Sequence, residues 1–282
     1  MIKDFSANLL ATILTLAKAA VKSRSVGRGE PQKDRSDGGD SIIIMGNGPS
    51  LKEMIDNRLD ALMSMPRMAV NFAANADDFD ILLPQHYLLA DPHFFEAAQS
   101  DPNVVKLWKN LAKVDWDMTL HVPVRAKLPD AFSRNLPTNI KLERFNMTPG
   151  EGFDFFIHPL YERGLAMPRP RNVLVPAMMQ AMAAGYRRIY LTGADHTWIH
   201  DLYVDDLNRV VSVQPHFYDD NKEELDRVAQ TYAGLHLHDV LGSFVVALRS
   251  YHQIKNYADK IGCEIYNATP GSLIDAFPRH PL

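Results

Sequence analysis

"SIIIMGNGPSLKE" occupies residues 41–53. An apolar run, Ser41 to Met45, stops at Gly46-Asn47-Gly48-Pro49-Ser50, and a helix-like pattern follows. A continuous apolar strand bounded by turn residues suits a parallel sheet covered on both faces. Gly46 and Gly48 admit backbone angles and close approaches that a Cβ resists. Ser50, with Glu53 three residues later, forms a capping-box pattern at a helix start. The unit is therefore strand, glycine turn, helix N-terminus, which offers free N–H groups and a positive helix end to a phosphate. The plainer reading is an ordinary strand-to-helix turn, since the pattern is neither a Walker loop nor a complete G-x-G-x-x-G.

The same alternation continues along the chain. Further candidate strands lie at 68–72, 86–90, 118–122, 140–144, 188–192 and 263–266. Candidate helices lie at 51–64, 93–100, 104–113, 172–184, 222–232 and 241–261. Strands alternating with helices predict an α/β fold, a mostly parallel Rossmann-like sheet with helices on both faces. With 282 residues, 46% of them hydrophobic and 23% charged, the chain has ample material for one such core, assigned to 41–282. The net charge of −4 argues against non-specific nucleic-acid binding. A lone cysteine, Cys263, allows neither an intramolecular disulfide nor a cysteine-based zinc cluster and fits a reducing, cytoplasmic compartment.

Ahead of this domain, residues 1–22 read as an apolar or amphipathic helix, with 5–21 almost uncharged and interrupted by Lys18. The run is short for a span of roughly 20 apolar residues, and no cleaved signal peptide is expected. Residues 23–40 read as a flexible basic linker, with Arg24, Arg28, Lys33 and Arg35 following Lys22. An apolar helix beside cations is expected either to rest on the inner face of the cytoplasmic membrane or to dock on protein. The protein in question is the chain's own core or a second subunit in a homo-oligomer.

Ligands of open α/β sheets bind beyond the carboxyl ends of the strands. Those ends carry Gly46, Asn47, Gly48 and Ser50; Asn71; Asp91; and Gly193 with Asp195. An asparagine amide both donates and accepts, which suits sugar hydroxyls and a base edge. Taken one at a time these are turn residues; together they point to a polar, nucleotide-sized cleft. The long polar and aromatic segment near 196–239 is expected to form a lid over it.

The ordered set "IIIMGNGPSLKE", "VNFAAN", "ADPHFFEAAQ" and "AAGYRRIYLTGAD" resembles the bacterial sialyltransferases of glycosyltransferase family 42. The resemblance extends from about residue 41 to residue 276 and touches the motility accessory and pterin pyrophosphokinase-like domain, which shares the Gly-Asn-Gly-Pro-Ser turn. It implies a GT-A-type variant of the α/β fold and inverting, metal-independent transfer of a nonulosonic acid, such as sialic acid, from a CMP-sugar. The acceptor would be a hydroxyl of a glycan or glycolipid in lipopolysaccharide or capsule synthesis. No cofactor beyond the donor is implied. Asn47 and Ser50 would hold the nucleotide, and Asn71 would contact the donor. Asp91 stands where the family has asparagine, and Asn172-Val173 where it has Thr-Ser, with Arg171 adjacent. Ser272 lies in a turn at 267–273 that the family packs beside the nucleotide.

Tyr203, eight residues after Asp195, matches a tyrosine that stabilises the leaving phosphate, while its companion position holds Thr197. His238 matches the general base by spacing, with His236 second and Asp239 able to orient the ring. Transfer needs such a group, because a hydroxyl becomes nucleophilic as its proton is removed. His-x-His also fits a metal pair on one face of a strand. Asp77-Asp78, Asp205-Asp206 and Asp219-Asp220 read as solvated loop charges, so no metal ligands are assigned. Two rival functions follow from the same residues. One is a nucleotide-dependent pyrophosphokinase-like transfer; the other is a non-catalytic nucleotide- or sugar-binding module.

Overall fold

The computed structural model describes residues 2–26, 39–200, 202–212 and 234–282. Its centre is a seven-stranded sheet in the order β5-β4-β3-β2-β1-β6-β9, every neighbouring pair parallel. The strands are β1 (Ser41–Met45), β2 (Arg67–Val70), β3 (His86–Leu88), β4 (Met118–Pro123), β5 (Ile140–Phe145), β6 (Arg188–Thr192) and β9 (Glu264–Asn267). A separate antiparallel hairpin joins β7 (Leu202–Val204) to β8 (Val210–Ser212). The α/β expectation is met, and the strands fall within a few residues of their sequence-based positions.

Both faces of the sheet are apolar, which is why β1 reads as an unbroken hydrophobic run. Ile42 and Ile44 face one layer together with Met68, Val70, Leu88, Ile189 and Leu191. That layer is closed by α7 (Asp154–Glu162), α8 (Leu174–Ala183) and α9 (Leu237–Ile261). Ile43 and Met45 face the other, with Ala69, Tyr87 and Leu120, under α2 (Ser50–Met63) and α5 (Pro102–Leu111). Side chains of a strand alternate in direction, so a strand between two helical layers must be apolar at every position.

Several elements differ from the sequence reading. The helix expected at 93–100 is only one turn, α4 (His93–Glu96). The short helices α3 (Phe79–Leu82) and α6 (Asp130–Arg134) and the 3-10 turn Asn71–Asn75 carry too few residues to show a period. α7 contains Pro159, a residue that normally argues against a helix interior. The expected helix at 222–232 lies outside the described residues, as do His216, Phe217, Tyr218, Asp219 and Asp220 of the expected lid. α9 starts earlier than expected, at Leu237, under a reciprocal cap in which Asp239 accepts the His236 N–H at 3.1 Å.

The N-terminal helix α1 (Ile2–Lys22) rests on α7 and the loop before it. The chain leaving it is pinned at its start. The Ser23 hydroxyl donates to the Leu165 carbonyl at 2.6 Å, and the Arg24 N–H donates to Asn146 Oδ1 at 2.9 Å. The first two residues of the segment expected as linker are thus part of the folded body.

Candidate functional site

Strand order reverses at β1: β2 to β5 lie on one side of it, β6 and β9 on the other. Two loops diverge above such a point and leave a crevice between them. Here the loops are 46–50 and 193–196, and they meet backbone to backbone. The Gly46 N–H donates to the Thr192 carbonyl at 2.7 Å and the Gly48 N–H to the Gly193 carbonyl at 2.8 Å. A Cβ on Gly46 would stand 2.3 Å from the Gly193 oxygen, and one on Gly193 would stand 2.5 Å from the Gly46 oxygen. These glycines are required by this packing, whatever binds above them.

A cleft of about 450 Å³ opens beside this contact. Nine residues expected at a ligand site line it: Gly46, Asn47, Gly48, Asn71, Asp91, Arg171, Asn172, Gly193 and Asp195. They arrive from the ends of β1, β2, β3 and β6 and from the start of α8. Asn47 is buried; its amide donates to the Val70 carbonyl at 3.3 Å, and its Oδ1 has no hydrogen-bond partner among the described residues. A buried acceptor left open beside a cleft is a position that a ligand donor would satisfy. Asn71 has φ 52°, a left-handed conformation, and its carbonyl is held by the Tyr87 hydroxyl. Asp91 accepts the His93 N–H at 2.9 Å, so its carboxylate caps the turn that starts α4. That local bond is as well served by aspartate as by asparagine.

The anion-attracting end of α2 is occupied from within. Asp195 reaches across from β6, and the Ser50 hydroxyl donates to its Oδ2 at 2.8 Å while the Ser50 N–H donates to Oδ1 at 3.3 Å. A Cβ on Gly48 would meet the same carboxylate oxygen. Burial raises the Asp195 carboxyl above its ordinary value, with the Ser50 bonds opposing. The expected phosphate at the Gly46–Ser50 turn therefore meets a carboxylate already in place. The helix end left facing the cleft is that of α8, where Arg171, Asn172, Val173 and Leu174 line the wall and Asn172 Oδ1 accepts the Leu174 N–H at 3.0 Å. Among the described residues Arg171 carries no ion pair, and it is exposed.

His196 is the cleft residue that sequence reasoning did not single out. It lines the cleft beside Thr197 and Trp198, has φ 55°, and its Nε2 lies 2.6 Å from the Tyr251 hydroxyl. Tyr251 is fully buried on α9 and also neighbours the Asn172 carboxamide. Burial pulls the His196 pKa down to about 4, so the ring is neutral at pH 7. A histidine four residues beyond a strand end resembles any loop histidine, and only the fold of α9 brings Tyr251 under it.

Four expected residues lie outside the cleft lining: Ser50, bonded to Asp195 as described, and Ser272, Tyr203 and His238. Ser272 is buried beneath the 193–195 loop, donating to the Ala194 carbonyl at 2.6 Å and accepting from Asn267 at 3.0 Å. Tyr203 stands on the exposed edge of β7, opposite Val211. His238, in the first turn of α9, has a side chain 81% exposed; its Nε2 is 3.4 Å from Asp239 Oδ1, and its ring stacks on His236. Among the described residues no cluster of three His, Cys, Asp or Glu side chains is placed to hold a metal ion. The segment expected as a lid joins the cleft through Trp198, whose ring centroid lies 4.0 Å from that of Phe244 on α9.

No family model and no curated protein matches this sequence. Among solved structures the chain is similar, over 96% of its length, to one described as a MAf glycosyltransferase from Magnetospirillum magneticum AMB-1, with 13% identity and a TM-score of 0.48. It spans 38% of that protein's length.

Proposed function

We propose that the chain is a glycosyltransferase that uses a nucleotide-activated sugar. In its finer form, it transfers a nonulosonic acid from a CMP-sugar to a glycan hydroxyl, with inversion and without metal. The observation that carries the proposal is the cleft at the strand-order reversal, lined by Asn47, Asn71, Asn172 and Arg171. Its size suits a nucleotide-sugar head, and its amides suit hydroxyls and a base edge. The ordered motifs that resemble family 42 support the CMP-sugar donor.

In this reading the open Oδ1 of Asn47 accepts from the nucleoside, and Arg171 at the start of α8 faces the leaving phosphate. The acceptor oxygen bonds to the anomeric carbon as the C–O bond to CMP breaks, and the acceptor proton passes to a histidine. His238 fits that role by the resemblance, as Tyr203 fits the contact to the leaving phosphate. His196 fits it by position, with a neutral ring already at the cleft.

Calorimetric titration with CMP, CDP, UDP, GDP and ATP, with and without magnesium, tests the proposal. Selective CMP binding that ignores magnesium is the expected result. A strict preference for a triphosphate with magnesium would replace it by the pyrophosphokinase-like reading. CMP binding without turnover of any donor would leave a binding module.

A further inference from the structure

α1 is amphipathic in the reverse sense. The side it turns to the protein is polar and small: Thr12, Thr15 and Ala19 are buried. Thr15 Oγ1 donates to the Glu151 carbonyl at 2.9 Å and accepts the Glu151 N–H at 3.0 Å. Thr12 Oγ1 accepts the Phe153 N–H at 2.9 Å, and Gly152 (φ 131°) is the one residue that fits under it, since a Cβ there would touch Thr12. The side turned away carries Phe5, Leu9, Leu10, Ile13, Leu14 and Leu16, each at least 41% exposed. On α7 the apolar surface continues with Phe155, 82% exposed, and Phe156; the Phe5 and Phe153 rings, 5.3 Å apart, link the two helices. A helix on a water-soluble body buries its leucines and exposes its threonines. This one does the opposite along roughly 27 Å of helix.

We infer that this face seats the protein on an anionic lipid surface. Contiguous apolar patches of this kind mark interaction sites, and the charge beside this one selects the partner. Between residues 18 and 26 the described chain carries Lys18, Lys22 and Arg24 and no acid, in a protein of net charge −4. Anionic headgroups complement those cations; a second copy would offer the apolar stripe again but the same cations with it.

The seat is also joined to the cleft wall. Glu151, gripped by Thr15, binds Arg169 through Nε at 3.1 Å and Nη2 at 2.5 Å. The Arg169 carbonyl takes the Ser250 hydroxyl of α9 at 2.9 Å, and the next residues, Pro170 to Leu174, line the cleft. Asn146, held by Arg24, is followed by Met147, another lining residue. A lipid-seated α1 therefore braces the wall that carries Arg171. The lipid contact itself does not depend on what the cleft binds.

Flotation of the full chain with vesicles tests the inference. Phosphatidylglycerol-containing vesicles are expected to carry the protein, and pure phosphatidylcholine vesicles to carry at least about tenfold less. Leu10→Glu with Ile13→Glu, and separately Phe155→Ser, should each lower vesicle binding by about tenfold or more with the melting temperature unchanged. These side chains face away from the body, and the Phe155 variant leaves α1 intact. A folded wild-type chain that ignores anionic vesicles overturns the inference, and if it sediments as a dimer that Ile13→Glu dissociates, the face belongs to a second copy. Loss of nucleotide binding with flotation retained would refute the proposed function alone.

Discussion

The carboxylate of Asp195, at the end of β6, sits on the first turn of α2, 2.8 Å from the Ser50 hydroxyl. It does what a bound anion would do at a helix N-terminus, so the glycine turn beside it is a packing joint before it is a binding loop. Buried carboxylates are costly unless hydrogen-bonded, and Ser50 supplies both bonds. Removing the hydroxyl in Ser50→Ala should cost about 1–2 kcal/mol of stability, read from urea unfolding; no change would mean that water replaces Ser50.

Asp195 also sets a pH dependence. Burial raises its folded pKa above the unfolded value of 3.8. The native state then holds the proton more tightly, so the stability tied to this group is full below that value and is lost as pH rises through the folded value. Asp195→Asn cannot ionise. Its melting temperature relative to wild type should rise between about pH 3 and pH 7; a difference flat in pH would contradict the assignment.

His196 acts in the opposite sense. Its folded pKa of about 4 lies below the ordinary 6.5, so its contribution is full above 6.5 and is lost as pH falls toward 4. Replacing it by glutamine should remove on the order of 2 kcal/mol of acid-induced destabilisation across that window. Parallel pH profiles for wild type and variant would reject this.

Two glycine substitutions should diverge. Gly46→Ala drives a Cβ into the Gly193 backbone and should destabilise by about 3 kcal/mol or more. Gly242→Ala, on α9 with nothing within 4 Å of the added carbon, should stabilise by about 0.5–1 kcal/mol. Equal melting temperatures for the pair would show that the two loops at the strand-order reversal can separate freely.

Within the cleft, Asn47→Ala and Arg171→Ala should each weaken CMP binding about ten- to hundredfold, with circular dichroism unchanged. Calorimetry decides between this and a ligand that sits elsewhere, for which neither change would matter.

The strand at 41–45, the helices α2, α5 and α8, and the parallel α/β class were legible because each rests on a local period or a local stop. A run such as Ile42-Ile43-Ile44 has one stable home, between two apolar layers. Nine of the residues expected at the site also meet at one cleft, because strand ends in such a sheet share an edge.

What the sequence could not determine depends on which distant segments touch. That Asp195 fills the end of α2, that Tyr251 lies beneath His196, and that Gly46 answers to Gly193 are contacts between residues 55 to 147 positions apart. No local pattern encodes them. The apolar character of residues 5–21 was plain in the sequence, but only the tertiary structure decided that threonines turn inward and leucines outward, since that orientation is set by the backbone groups of residues 151–153 that α1 meets.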